Sequence, residues 1–140
     1  MQATSAGYRE IEHTADWELE VWAPDLPGLL EQAARGMYAL AGIATWAGHA
    51  REHTLKINAF DIEGLLVNFL SELLFLEEEH GLAFDGFDLR IRQAGEYQME
   101  AKLAGGPAIS REKDIKAVTY HKMKVERGVR GLEVRIVFDV

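Results

Sequence analysis

Two stretches of the chain repeat apolar residues at steps of three and four, and they constrain what the rest can become. Leu26, Leu29, Leu30, Ala33, Ala34, Met37, Tyr38 and Ala41 form one stripe, and Ile62, Leu65, Leu66, Phe69, Leu70, Leu73 and Leu76 form the other. That spacing lays an apolar face along an α-helix, and such a face is stable in water only when another layer covers it. Asp25 and Asp61 stand where an N-cap accepts a free backbone amide. Pro27 is tolerated in the first turn, and Gly42 is placed to close the first helix. Gly64 weakens the start of the second helix, which points to a close backbone contact there.

The segments around the helices alternate with the two-residue period of strands. Tyr8 to His13 and Asp16 to Ala23 are two short runs; the second places Trp17, Leu19 and Val21 on one face and Asp16, Glu18, Glu20 and Trp22 on the other, an acidic outer edge. A loop from Ala44 to Ala50 carries Trp46, expected to pack. Leu55, Ile57 and Ala59 point inward from Arg51 to Phe60. Phe87, Leu89 and Ile91 lead through a Gly95 turn to Tyr97, Met99, Ala101 and Leu103, a hairpin. Gly105-Gly106-Pro107 opens a loop that extends through Asp114. Ile115 to Val125 reads as one long interior strand, with Ile115, Ala117, Thr119, His121, Met123 and Val125 on an apolar face and Lys116, Lys122 and Lys124 on a cationic one. On that face His121 is expected to be a hydrogen-bonded core histidine. Arg127 to Gly131 turns the chain into a last strand with Leu132, Val134, Ile136 and Phe138 inward, and no internal repeat is evident.

This order defines an α+β protein in which two helices pack on one face of a mainly antiparallel (mixed) sheet. With 140 residues and 48% hydrophobic content, one compact domain over residues 8–140, after a flexible leader at 1–7, can bury its own core. The leader has no basic segment followed by an apolar run, and no apolar stretch of about 18 residues occurs, so a cytoplasmic protein without membrane insertion is expected.

Fifteen Lys and Arg against 23 Asp and Glu give a formal net charge of -8. A field of that sign repels phosphate backbones, so sequence-specific nucleic-acid binding is disfavoured, although Lys116, Lys122, Lys124 and Arg127 offer a local basic patch. A basic protein partner or metal cations suit the acidic surface better. The absence of cysteine excludes disulfides and thiolate sites. No phosphate-binding glycine loop, dinucleotide turn, serine elbow or His-Glu-x-x-His helix is present, and the enzyme case is correspondingly weak. What remains are hard oxygen donors, which favour Ca2+ or Mg2+ over zinc or copper. Glu12-His13-Thr14-Ala15-Asp16 gathers a histidine, a hydroxyl and two carboxylates, either as a polar turn or as part of a site. Glu77, Glu78 and Glu79 oppose the negative end of the second helix, which solvation, a cation or a basic partner would offset.

Glu12-His13-Thr14-Ala15-Asp16, the segment Leu66 to Leu76 with Gly81-Leu82, Lys116-Ala117-Val118-Thr119-Tyr120-His121-Lys122-Met123 and the final Phe138-Asp139-Val140 together resemble the archease family, over nearly the whole chain. The resemblance implies a small α+β accessory protein that activates an RtcB-type tRNA-splicing RNA ligase, promoting its guanylation and turnover and widening its nucleotide use. It implies a divalent cation held by Asp16, Asp139 and Val140, an activity-linked lysine at Lys116, and His13 and His121 as candidates to hydrogen-bond those ligands. The segment from Gly106 to Asp114 is where the chain departs from the family pattern. Three other readings stay open: a chaperone or specificity modulator of another nucleic-acid modifying enzyme, a metal-dependent hydrolase with Asp16 and Asp139 as ligands and His13 or His121 as base, and a structural interaction module with no metal.

If Val140 contributes oxygen donors beside Asp139, residues appended after it are expected to crowd the site. A C-terminal tag should then weaken cation binding and ligase activation more than an N-terminal tag, as read by calorimetric cation titration and a ligation assay. Equal behaviour of the two tagged proteins would remove Val140 from the site.

Overall fold

A computed structural model describes residues 6–11, 17–45 and 51–140 of the chain. Strands β1 (Gly7–Ile11) and β2 (Trp17–Ala23) lead into helix α1 (Leu26–Ala41). The short strand β3 (Ala44–Thr45) and β4 (Arg51–Ala59) precede helix α2 (Ile62–His80). Strands β5 (Leu82–Ala94), β6 (Glu96–Ser110), β7 (Ala117–Thr119), β8 (Glu126–Gly128) and β9 (Gly131–Asp139) follow.

The helices form where the stripes require them. Asp25 Oδ1 accepts the Gly28 amide at 2.8 Å and Asp61 Oδ1 accepts the Gly64 amide at 2.7 Å, so each cap satisfies a donor the helix itself cannot. Gly42 and Gly81 end the helices with φ of 70° and 63°, the left-handed conformation that favours glycine.

The two helix starts are also copies of one turn, which corrects the expectation of no internal repeat. Ala23-Pro24-Asp25-Leu26-Pro27-Gly28-Leu29-Leu30 and Ala59-Phe60-Asp61-Ile62-Glu63-Gly64-Leu65-Leu66 share Ala-x-Asp-x-x-Gly-Leu-Leu. Their caps have the same backbone, φ -140° and ψ 171° at Asp25 against φ -139° and ψ 173° at Asp61. A Cβ on Gly28 would lie 2.8 Å from Asp25 Oδ1 and 3.2 Å from Ala23 Cβ; on Gly64 the same atoms of Asp61 and Ala59 would lie at 2.8 and 3.3 Å. The close contact expected at Gly64 is therefore with its own cap. The repeat is short and degenerate because only the turn, not the helices or strands around it, needs fixed residue types.

The expected single sheet is in fact two, and every described pairing is antiparallel. The first has the order β1-β2-β9-β7 with β8 also on β9; in the second, β6 pairs with β4, β5 and β3. Helix α1 lies on β1 and β2 and reaches β5, while α2 lies on β4 and β5 and reaches β7. Leu19, Val21, Ile136 and Phe138 from the first sheet and Met99, Ala101 and Leu103 from the second join both leucine stripes in one core. Two sheets arise because the helices present apolar surface to both sides, and alternation alone does not reveal which strands pair.

Short strands β3 and β8 form where a loop from Ala44 and a turn from Arg127 are expected, and the limits of two long strands move. Strand β6 continues through the Gly-Gly-Pro segment to Ser110, where a loop was expected. Gly105 makes this possible: a Cβ there would fall 2.1 Å from Ala83 O and 2.6 Å from Phe84 Cα, at the point where the β5 register shifts. Conversely, the long strand expected from Ile115 to Val125 is only β7, and a turn follows in which Met123 N–H donates to Tyr120 O at 3.0 Å. Lys122 takes φ 59° there, the one positive value at a non-glycine residue among those described. Tertiary capture breaks the alternation, because Glu63 of α2 accepts the Val125 amide at 2.8 Å and Thr119 Oγ1 accepts that of His121 at 3.3 Å. His121 is exposed rather than in the core, and Ala117 is exposed while Val118 is buried.

Gly105→Ala should destabilise the fold by about 3 kcal/mol, since backbone atoms must move to admit the methyl group. Gly81→Ala, whose Cβ would meet nothing within 4 Å, should cost only about 1 to 2 kcal/mol of left-handed strain. Urea denaturation of both variants measures the contrast, and equal losses would mean that β5 and β6 tolerate separation at the bulge.

Candidate functional site

The site is built where β9 ends. Trp17 pairs with Phe138 and Ala117 pairs with Asp139, so β2 and β7 flank the last residues of β9. Lys116 N–H donates to Asp139 O at 2.8 Å, which fixes the backbone of this lysine against the acid. Lys116, Asp139 and Val140 are all exposed, so two oxygen-bearing positions and a lysine stand at one open end of the first sheet. Asp16 and His13 lie outside the described residues; the chain enters the described region at Trp17, next after Asp16. His121 lies in the turn after β7, at the end of that strand away from Asp139.

A tethered segment, residues 111–116, delivers Lys116 to this place. The Glu112 and Lys113 amides both donate to Ala41 O, the last carbonyl of α1, at 2.8 and 3.1 Å, and Ser110 Oγ donates to Gly42 O at 2.8 Å. These bonds satisfy carbonyls that a helix end leaves free. Ile115 is buried, and Lys113 Nζ stands 3.7 Å from the centre of the Trp17 ring, a cation–π contact across the first sheet's end.

The acidic end of α2 is answered by the same segment. Arg111 lies 3.5 Å from Glu77 and 3.1 Å from Asp114. Glu77 is turned into the protein while Glu78 and Glu79 are exposed, so an arginine of this chain is the basic partner that residue type alone left open. Burial pushes the Glu77 carboxyl above the ordinary carboxylate range, Arg111 pulls it back in part, and Glu78 and Asp114 push it further up.

Away from this end, the outer face of the first sheet is not the solvated acidic edge that alternation suggested. Glu18 and Glu20 are 2% and 9% exposed. Arg135 donates to Glu18 at 3.1 Å and Arg9 to Glu20 at 2.7 Å, while Arg130 stacks 4.1 Å from the Trp22 ring and lies 3.5 Å from Glu20. Strands β1 and β9 bring Arg9 and Arg135 opposite Glu20, and Arg130 comes from the turn between β8 and β9, a pairing that requires knowing the strand order. The basic patch also divides: Lys122 and Lys124 line a cleft of about 420 Å³ with Glu20, Glu126, Glu133 and Arg135, whereas Lys116 stands beside Asp139.

Among the described residues no group of three histidine, aspartate or glutamate side chains converges as a metal centre. The oxygen donors of Asp139 and Val140 are hard and open to solvent, which suits Ca2+ or Mg2+ once a further carboxylate is supplied. Among the described residues no helix is long and apolar enough to cross a membrane.

The fold and this end of the first sheet define a class: a small two-sheet α+β protein that presents a lysine and terminal-strand oxygens on a rigid edge. The Archease protein family (MTH1598/TM1083) matches residues 8–140. The protein archease of Methanosarcina mazei is 30% identical over 146 aligned positions, covering 100% of both chains, and that of Archaeoglobus fulgidus is 31% identical over 95% of this chain and 98% of its own. Among solved structures, Methanobacterium thermoautotrophicum protein 1598 superposes with a TM-score of 0.76 at 25% identity, covering 96% and 99% of the two chains. A Thermotoga maritima protein, described as an archease and possible chaperone, gives 0.66 at 26% identity, covering 94% and 96%. The chain belongs to the archease family.

The raised Glu77 carboxyl has a definite consequence for stability. Below the ordinary carboxylate range both folded and unfolded states hold the proton and no penalty arises; as pH rises through that range the unfolded chain ionises first, and the folded state loses stability. Glu77→Gln escapes this loss. Its stability relative to wild type should rise between about pH 3 and pH 7 in urea denaturation. A flat difference would mean that Arg111 cancels the burial cost.

Proposed function

We propose that the protein is an accessory factor that activates an RtcB-type tRNA-splicing RNA ligase, promoting its guanylation and turnover, and that it is not itself an enzyme. The observation that carries this reading is the juxtaposition of Lys116 with Asp139 and Val140 at the open end of the first sheet. A flexible lysine is a point charge suited to phosphate, and hard oxygens are suited to a divalent cation, which are the two charged species present at a guanylation site. In this reading Asp16, Asp139 and Val140 hold Ca2+ or Mg2+, and the cation neutralises phosphate charge when bound. Lys116 contributes reach, because its backbone is fixed by Asp139 while its side chain is free to extend into a partner. The exposure of the whole edge favours action on another protein over a closed catalytic pocket.

A broader reading, a chaperone of nucleic-acid modifying enzymes, is favoured by the description of the Thermotoga maritima relative as a possible chaperone. It differs in that no single lysine should be decisive.

Multiple-turnover ligation with the host's ligase decides between them. Lys116→Ala should abolish activation with little change in stability, since an exposed lysine at a strand margin contributes within about 0.5 kcal/mol. In the same proteins Ca2+ or Mg2+ at a hundredfold excess over its dissociation constant should stabilise the wild type by about 2.7 kcal/mol. Asp16→Ala and Asp139→Ala should lose that response. Full activation by the lysine variant would exclude the mechanism, and an unchanged melting temperature with either cation would exclude the metal.

A further inference from the structure

Phe60 is 90% exposed, an unusual position for a phenylalanine, and the fold does not demand it. The same turn is built at the start of α1 with Pro24 in its place, so the cap geometry is indifferent to this side chain. Phe60 lines a cleft of about 410 Å³ at the start of α2 together with Tyr120, itself 58% exposed, and with Asp61 and Glu96. Ala59, Gly64, Asn58 and Asn68 complete it, and among the described residues no lysine or arginine lines it. Gly64 lies beneath Tyr120, whose hydroxyl would be 3.9 Å from a Cβ placed there.

We infer that this cleft is a docking site for an arginine or lysine side chain from a basic segment of a partner protein. Two aromatic rings and two carboxylates with no competing cation form a receptor for a long cationic side chain, whose hydrocarbon stem packs on the rings while its charge meets the acids. The positive end of α2 opposes a cation, but Asp61 and Glu63 place two negative charges within its first turn and outweigh it. Lys122 and Lys124, close in sequence to Tyr120, turn into the separate cleft beside Glu20 and Arg135. The overall charge of -8 draws a basic segment toward the protein, and the aromatic pair gives it one place to seat. That the segment belongs to the RNA ligase rests on the function proposed above; the chemistry of the cleft does not.

Phe60→Ala and Tyr120→Ala leave the charge of the protein unchanged, which separates seating in the cleft from general attraction. Calorimetric titration with a hexa-arginine peptide should show each variant binding about tenfold more weakly than wild type, with Glu96→Lys weaker still and all melting temperatures retained. Equal affinity of wild type and both aromatic variants for the peptide would overturn the inference, because attraction would then be nonspecific. Titration with the host's ligase should repeat the ranking. If the peptide ranking holds but the ligase does not bind wild type, the cleft stands and the proposed function falls; if the ligase binds all variants alike, the ligase does not use this cleft and the inference fails for that partner. Sedimentation showing a wild-type dimer that Phe60→Ala dissolves would assign the cleft to a second copy of this chain instead.

Discussion

The antiparallel pairing of β9 with β2 and β7 is the constraint on which the candidate site depends. In that register Phe138 is fully buried between Trp17 and Val118 while Asp139 beside it is exposed next to Ala117. A slip of one residue would exchange their faces, burying a carboxylate and exposing a phenylalanine, and the cost of both errors locks the register. The position of an exposed acid is thus secured by the burial of its neighbour. Lys116 inherits the same precision, since its amide bonds to the carbonyl of Asp139.

The helices contribute from their far ends. Both finish in left-handed glycines, and the last carbonyl of α1, that of Ala41, accepts the amides of residues 112 and 113. The segment that carries Lys116 is therefore held by helix α1, by Glu77 of α2 through Arg111, and by the ring of Trp17 through Lys113. Three attachments, one of them a charge pair, thus hold the segment that ends in an exposed lysine.

At the opposite ends of the helices, the duplicated Ala-x-Asp-x-x-Gly-Leu-Leu turn leaves one position without a structural duty. Aspartate, glycine and the paired leucines are fixed by cap, contact and core, and the second position is free. One copy fills it with proline, which only shapes the chain, and the other with a phenylalanine that water surrounds. The charge network of Glu18, Glu20, Arg9, Arg130 and Arg135 covers part of the outer face of the first sheet.

The elements whose physics is local are legible in the residues alone. Both helices, their aspartate caps, the Gly42 stop, the hairpin through Gly95 and the α+β class follow from periodicity and from residues that satisfy or break backbone hydrogen bonds. The archease resemblance was also legible, because its motifs lie in continuous stretches. The division into two sheets, the burial of Glu18 and Glu20, the continuation of β6 past Gly105 and the turn at Tyr120 come from long-range contacts. Each depends on a partner distant in sequence: Arg135 across the sheet, Ala83 across the bulge, Glu63 on α2. Alternation records which way a side chain points but not what it meets, and for a charged residue the meeting decides whether it faces solvent or a partner.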